Sequence, residues 1–370
     1  MPAGKPAALR LRSGTREARP SEGTEALKIL VLKPSSLGDV IQALPVLRSL
    51  KRHLPQSEIY WWIDSSLAPL LEGDPDLKGI VRFERRRWAA PQHWGELWRS
   101  IHWVRRQSFD WVIDLQCLAR SGIFAWFANG HLTVGLDEPR EGARMFYDLV
   151  VRRPSFHTHA VDWYLRVLPL LGVPLATEVQ WLPQRLQVAE RLRRKWPVDS
   201  ERWLVVQPGA RWVNKRWPIE SFGLLARYTL QRFPGIRIAV LGGLEDTSLG
   251  AAIASEAGER CLDLTGQLSL PEMIEWIRLS QLMVTNDTGP MHVAAALDKS
   301  VVALFGPTEP RRTGPYGQPR NVLQLSLPCI PCLSSRCRNA VPLECLRALP
   351  PEQVFQAVQE RLADILAVSD

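Results

Sequence analysis

Three short segments of this 370-residue chain place reactive side chains at spacings that suit a binding or catalytic turn. The first is Lys33-Pro34-Ser35-Ser36-Leu37-Gly38-Asp39, between an apolar run and an amphipathic one. It delivers a carboxylate to the carboxyl edge of a sheet beside a helix start, where open α/β sheets bind ligands. Asp39 fits a general base there and equally a helix cap, the commoner use of an acid at this position. Ser35 and Ser36 add donors, and Gly38 permits close approach of a ligand. The second is Gln207-Pro208-Gly209-Ala210-Arg211-Trp212-Val213-Asn214-Lys215-Arg216-Trp217-Pro218. A strand-to-helix loop with Lys215, or its rival Arg216, is a seat for a diphosphate, since helix N-termini offer free N–H groups; a solvated basic loop is the alternative. The third is Asn286-Asp287-Thr288-Gly289-Pro290-Met291-His292, which joins a strand end to a helix through a capping acid or hydroxyl and a proline suited to the first turn. His292 then lies just inside that helix, where a histidine is more often packed in the core than a ligand. Glu245, after Gly242-Gly243, and Phe305-Gly306-Pro307-Thr308 end neighbouring strands.

The elements that must position these turns alternate. From Leu27 the apolar runs LKILVLK, EIYWWID, GIVRF and FDWVIDLQ are separated by amphipathic stretches; a second series, RWLVVQPGA, IRIAVLGG, LMVTND and SVVALFG, follows a stretch rich in Pro and Arg. Strand–helix alternation predicts parallel sheets with crossover helices. The expected organisation is a basic disordered tail over 1–26, a first Rossmann-like domain over 27–175, a linker over 176–200, a second such domain over 201–350 and a C-terminal helix over 351–370. No GxGxxG follows any of these strands, which argues against a dinucleotide-dependent oxidoreductase.

Hydrophobic and charged fractions of 46% and 23% are those of a globular protein. No uninterrupted apolar run reaches the roughly 18 residues of a spanning helix, and the N-terminal stretch has no signal-peptide core, so a cytoplasmic location is expected. The net charge of +8 favours an anionic partner. Much of it lies in the first half, at Arg82, Arg85, Arg86, Arg87, Arg99, Arg105, Arg106, Arg140, Arg144, Arg152 and Arg153, interleaved with Trp88, Trp94, Trp98 and Trp103. Arginine beside indole suits lipid head groups, and equally a solvated helix face over a tryptophan stripe. No nucleic-acid-binding motif accompanies it, so no nucleic-acid partner is expected.

The segments KPSSLGDVIQALPVLRSLK, PGARWVNKRWP, LGGLED, TNDTGPMHVAAAL and FGPTEP, in this order, resemble the ADP-heptose lipopolysaccharide heptosyltransferases of glycosyltransferase family 9, particularly second-heptose enzymes. The resemblance runs from about Leu27 to Val368. It implies a GT-B fold, with two Rossmann-like domains facing each other across a cleft. It also implies metal-independent inverting transfer of heptose from ADP-heptose to a Kdo or heptose of the lipopolysaccharide inner core, at the inner face of the cytoplasmic membrane. On this resemblance Asp39 is the base that deprotonates the acceptor hydroxyl and Lys215 neutralises the departing diphosphate. Thr288 and Gly289 contact phosphates, Asp287 lies near the sugar, His292 supports the helix end and Glu245 reaches ribose or adenine. Ser36, Gly38 and Gly209 are counted with the nucleotide-sugar contacts. Arg120, Arg144 and His159 fall in acceptor-side segments. Another nucleotide-sugar donor, a protein acceptor or a non-catalytic scaffold are the alternative uses of the same fold.

Cys329, Cys332, Cys337 and Cys345 form C-x2-C-x4-C-x7-C. In a cytosolic chain such clustering favours a metal over disulfides, and thiolates suit zinc or iron, but the spacing departs from common zinc-ribbon patterns; a structural zinc or iron is one candidate use, free or redox-sensitive thiols the other, and no metal is expected in catalysis. A similar cysteine-rich tail occurs in part of the resembling family.

Overall fold

The computed structural model describes residues 26–138, 141–175 and 179–369. The expected basic tail lies outside them, apart from Ala26. Twelve strands form two six-stranded sheets, parallel at every pairing. The first holds β1 (Lys28–Leu32), β2 (Glu58–Asp64), β3 (Gly79–Phe83), β4 (Trp111–Asp114), β5 (Leu132–Leu136) and β6 (Leu149–Val151), in the order β3-β2-β1-β4-β5-β6. The second holds β7 (Arg202–Gln207), β8 (Ile236–Val240), β9 (Cys261–Asp263), β10 (Leu282–Asn286), β11 (Ser300–Leu304) and β12 (Val322–Leu323), in the order β12-β11-β10-β7-β8-β9. Counted from its own first strand, each sheet has the same doubly wound order, and each reverses direction beside that strand, where such folds open a crevice for ligands. The α/β architecture with two Rossmann-like lobes is the one expected.

The strands read as continuous apolar runs because both faces are covered. In β1, Ile29 and Val31 enter one core while Leu30 and Leu32 enter another; in β7, Trp203 and Val205 part in the same way from Leu204 and Val206. The inner faces of both sheets share one continuous apolar cluster, which includes Val40, Leu44 and Leu47 of the Leu37–His53 helix and Met291 and Val293 of the Gly289–Ala296 helix. The lobes are thus joined by a common core beneath the two turns that carry Asp39 and Asp287.

Two findings refine the domain reading. The stretch expected as a linker contains a helix, Leu186–Lys195, whose Leu192 enters the shared core. The Pro351–Ser369 helix packs on the second lobe, with Val354, Val358 and Leu362 buried against its outer core. No helix among the described residues is long and apolar enough to cross a membrane.

Candidate active site

Asp39 sits in the first turn of the Leu37–His53 helix, and both readings of it meet in one side chain. Its Oδ2 accepts from the Ser36 backbone N–H at 3.0 Å and from the Ser36 hydroxyl at 2.6 Å, so the acid does cap the helix. Oδ1 has no hydrogen bond among the described residues and remains available. The helix beneath is held by the buried Arg48, which donates to Asp74, to Asp76 at 2.7 Å and to the Trp181 carbonyl.

Behind Asp39 stands Lys33, only 4% exposed. Its ammonium donates to the Leu115 carbonyl at 2.8 Å and the Tyr164 hydroxyl at 3.0 Å. Burial disfavours both charges, but each supports the other. The Lys33 pKa is raised against burial by Tyr164 and Asp39, and that of Asp39 is lowered, against burial, by Lys33, the Ser36 bonds and His292. Lys33 was not among the residues assigned a role from the sequence; the signal was a lysine closing an otherwise apolar strand.

On the facing lobe Lys215 ends a short 3₁₀ turn, Val213–Lys215, and its Nζ lies 2.5 Å from Asp287 Oδ2, which also accepts from the Thr308 hydroxyl at 2.6 Å. Arg216 turns the other way, donating to the Ala210 carbonyl at 2.8 Å. The structure therefore places Lys215, not Arg216, at the Asp287 turn. Asn286, fully buried, braces this arrangement: its amide donates to the Pro208 carbonyl at 2.7 Å and its oxygen accepts from the Trp217 N–H at 3.1 Å. Thr288 occupies the N-cap of Gly289–Ala296, and its hydroxyl is buried without a partner among the described residues. An unsatisfied buried donor at a helix N-terminus, next to a lysine, is a receptive place for an anion.

The two turns meet where the two helices abut. A Cβ on Gly38 would overlap the His292 ring, and one on Gly289 would press on Leu37, so these glycines admit the opposite lobe. For Gly38, where ligand approach was expected, the close neighbour is His292. His292 Nδ1 lies 3.3 Å from the Gln42 side-chain amide, bridging the lobes. Burial pushes its pKa down to about 4, against the pull of Asp287 and Asp39, so the ring is neutral at pH 7. Its electrostatic neighbours also include Lys215, so one imidazole lies within reach of the acid on one wall and the lysine on the other.

The remaining predicted residues spread around this centre. Gly209 lies against Asp246, with no room for a Cβ. Glu245 is exposed in the neighbouring strand-end turn, Leu244–Asp246. His159 caps the Ala160–Leu165 helix, and its Nε2 lies 3.1 Å from the Gly314 carbonyl of the other lobe. Arg120 and Arg144 are exposed, the latter 3.6 Å from Asp137. Arg153, read from the sequence only as part of the basic stretch, and Arg312, given no role there, lie near enough across the lobes for their charges to interact. Arg153 lies over Trp163 and Arg312 over Phe156. The Arg153 pKa is lowered by burial first and then by the Arg312 charge. Paired cations held on aromatic faces are disposed to share an anion.

The four cysteines of the C-x2-C-x4-C-x7-C stretch divide between surface and core. Cys329 and Cys332 are exposed, Cys337 accepts from the Leu343 N–H at 3.3 Å, and Cys345 is buried in the second lobe's outer core. Burial first, and the other three thiols next, push the Cys345 thiol up, so the four share a neighbourhood. Among the described residues, however, no group of three His, Cys, Asp or Glu side chains converges to hold a metal ion. Cys345 is drawn into the core while Cys329 and Cys332 stay at the surface.

Comparison with known proteins bears directly on this geometry. The model of "Glycosyltransferase family 9 (heptosyltransferase)" matches residues 97–341. The chain belongs to glycosyltransferase family 9. It is 31% identical to lipopolysaccharide heptosyltransferase 2 of Salmonella typhimurium over 81% of its length and 88% of that protein's. Among solved structures, the family 9 enzyme of Veillonella parvula superposes with a TM-score of 0.76 at 25% identity, covering 92% of this chain and 99% of that one. Escherichia coli heptosyltransferase WaaC, solved with ADP-2-deoxy-2-fluoro heptose, has the same fold, with a TM-score of 0.71 at 24% identity over 90% and 99% of the two chains. As a family 9 glycosyltransferase with this GT-B fold, the chain is an enzyme of heptosyl transfer.

Proposed function

We propose that this family 9 enzyme transfers heptose from ADP-heptose to a Kdo or heptose hydroxyl of the lipopolysaccharide inner core, at the inner face of the cytoplasmic membrane. The observation that carries the chemistry is the opposition of Asp39, with one free carboxylate oxygen, to Lys215 and the unpartnered Thr288 hydroxyl at a helix N-terminus. The acceptor hydroxyl attacks the anomeric carbon of the donor while Asp39 takes its proton, and the bond from that carbon to the diphosphate oxygen breaks. A carboxylate held in its ionised form is ready to accept the proton without prior ionisation. The charge growing on the departing ADP meets the Lys215 ammonium, the Thr288 hydroxyl and the free amides of Gly289–Ala296, fixed dipoles that favour the leaving state. Asp287, now bonded to Lys215, orients that lysine. The donor assignment draws on the ADP-sugar in the WaaC structure and the acceptor assignment on the names of the curated relatives; Arg153 and Arg312 supply positive charge for an anionic acceptor.

A transfer assay pairing a panel of nucleotide sugars with truncated inner-core acceptors tests this reading. Heptosyl transfer from ADP-heptose alone is expected; turnover only with another nucleotide sugar, or only on a polypeptide acceptor, would replace it.

A further inference from the structure

We propose that the face formed by the Trp94–Arg106 and Ala119–Ala128 helices is the surface by which the enzyme docks on an anionic lipid bilayer. It deepens the transferase reading and rests on it, since an acceptor anchored in lipid must be met at a bilayer.

The Trp94–Arg106 helix buries only Ile101 and Val104 fully. Helical spacing puts Trp94, Trp98 and Arg105 on one flank, with His102, Arg99 and Arg106 beside them on the outward side. The neighbouring Ala119–Ala128 helix turns Arg120, Ile123 and Trp126 outward and keeps Phe124 and Ala125 inward. The two apolar edges join: Trp98 meets Phe127 at 5.9 Å between ring centroids, and Trp126 meets the same ring at 5.0 Å. Trp94 is 53% exposed, Trp98 58%, Trp126 57% and Ile123 43%, so a contiguous indole-rich ridge faces solvent. Buried aromatics would have served the core; these do not.

The charge around the ridge is predominantly positive, with Glu141 set at the N-terminus of the second helix, where it accepts from the Ala119 N–H at 2.9 Å. Arg99, Arg105, Arg106 and Arg120 have no acidic partner among the described residues, and the one acid of the two helices, Glu96, is bonded to Arg87. Indoles favour the head-group zone of a bilayer and unpaired arginines bind lipid phosphate, so the combination matches an anionic membrane. A single-stranded RNA would use the same arginines and stack on the same indoles, so the lipid-anchored acceptor of the proposed reaction is what favours a bilayer here. Topology places the face well. Both helices follow strands of the first sheet and so begin at its carboxyl edge, the edge that carries Asp39.

Flotation of the full chain with phosphatidylglycerol vesicles, against phosphatidylcholine vesicles, reads this out without donor or acceptor. Binding to the anionic vesicles is expected, weakened by salt. It should fall at least about tenfold in Arg99→Glu/Arg105→Glu/Arg106→Glu, and comparably in Trp98→Ser/Trp126→Ser. Both variants should keep the wild-type melting temperature and transfer to a soluble, deacylated acceptor, while losing transfer to acceptor embedded in vesicles. Equal binding to both vesicle types, unchanged binding by either folded variant, or retention on RNA with no flotation would overturn the proposal. Failure of soluble transfer in the wild type would instead strike the transferase reading, and the vesicle result would stand apart from it.

Discussion

The two lobes repeat one strand order but arm the equivalent crevice with opposite charge. In the first lobe the cation is the hidden partner: Lys33 is buried beneath Asp39, which keeps an oxygen free. In the second lobe the anion is hidden: Asp287 is buried against Lys215, which is more accessible. Each pair compensates its own burial, as a charge taken out of water requires. What each presents to the cleft is therefore reversed, a proton acceptor on one wall and a cation on the other. Group transfer with a charged leaving group needs that polarity, and a repeated fold obtains it by exchanging which of two electrostatically coupled charges is buried and which faces inward.

The comparison breaks most readily at its exposed members. Asp39→Asn keeps the shape and the cap to Ser36 through its amide oxygen but cannot take a proton. Its kcat should fall by about 10²–10⁴ with little change in the donor KM, measured by steady-state transfer. Near-normal turnover would reduce Asp39 to a cap. Lys215→Met should lower kcat by about 10²–10³, because the lost interaction grows as ADP departs. If Lys215 only binds the donor, the loss will appear in KM and kcat will stand.

Much of this fold can be read from the sequence. The eight apolar runs singled out correspond to β1–β4, β7, β8, β10 and β11, most of them central strands buried on both faces. The unread strands are short or interrupted. β6, β9 and β12 are outer strands of three, three and two residues, too brief to carry a period, and β5 is broken by Gly135, which makes way for Tyr147. The site divides similarly. Asp39, Lys215 and the Asp287 turn are local in sequence and legible there. Lys33 takes its meaning from Leu115 and Tyr164, 82 and 131 residues away, and the choice between Lys215 and Arg216 depends on which way each side chain turns. Spacing carries neither. The cysteine spacing is legible too, and the fold adds only that Cys345 enters the core while Cys329 and Cys332 stay at the surface.

The hidden member of the first pair gives a finer test. Lys33→Met removes the strongest influence that lowers the Asp39 pKa and leaves burial, which raises it, opposed only by the Ser36 bonds and His292. The acid limb of the pH–rate profile, below the usual carboxylate range in the wild type, should move up. On that limb the ionised base is depleted about tenfold for every pH unit by which the limb moves, while activity at pH 7 changes far less. An unmoved acid limb in a folded Lys33→Met protein would mean that Lys33 supports the strand end alone.

The smallest effect is expected where the two walls touch, at His292. Its folded pKa of about 4 lies below the ordinary histidine value, so between those two pH values the unfolded chain binds a proton that the folded chain refuses. Stability should therefore rise with pH across that window and fall on acidification, by about 2 kcal/mol from this residue between about pH 7.5 and 5. The carboxylates of Asp39 and Asp287 face the ring and favour its proton, while Lys215 and His159 oppose it; burial outweighs the carboxylates, which is why the sign is fixed. His292→Gln can keep a bond to Gln42 and cannot titrate. Its denaturant-unfolding free energy should lose the acid-dependent part shown by the wild type, with kcat at pH 7 altered only severalfold. A variant whose stability still falls in parallel with the wild type would place the acid sensitivity elsewhere, and the contact between the charged walls would then be a packing feature without a role in holding the lobes together as pH changes.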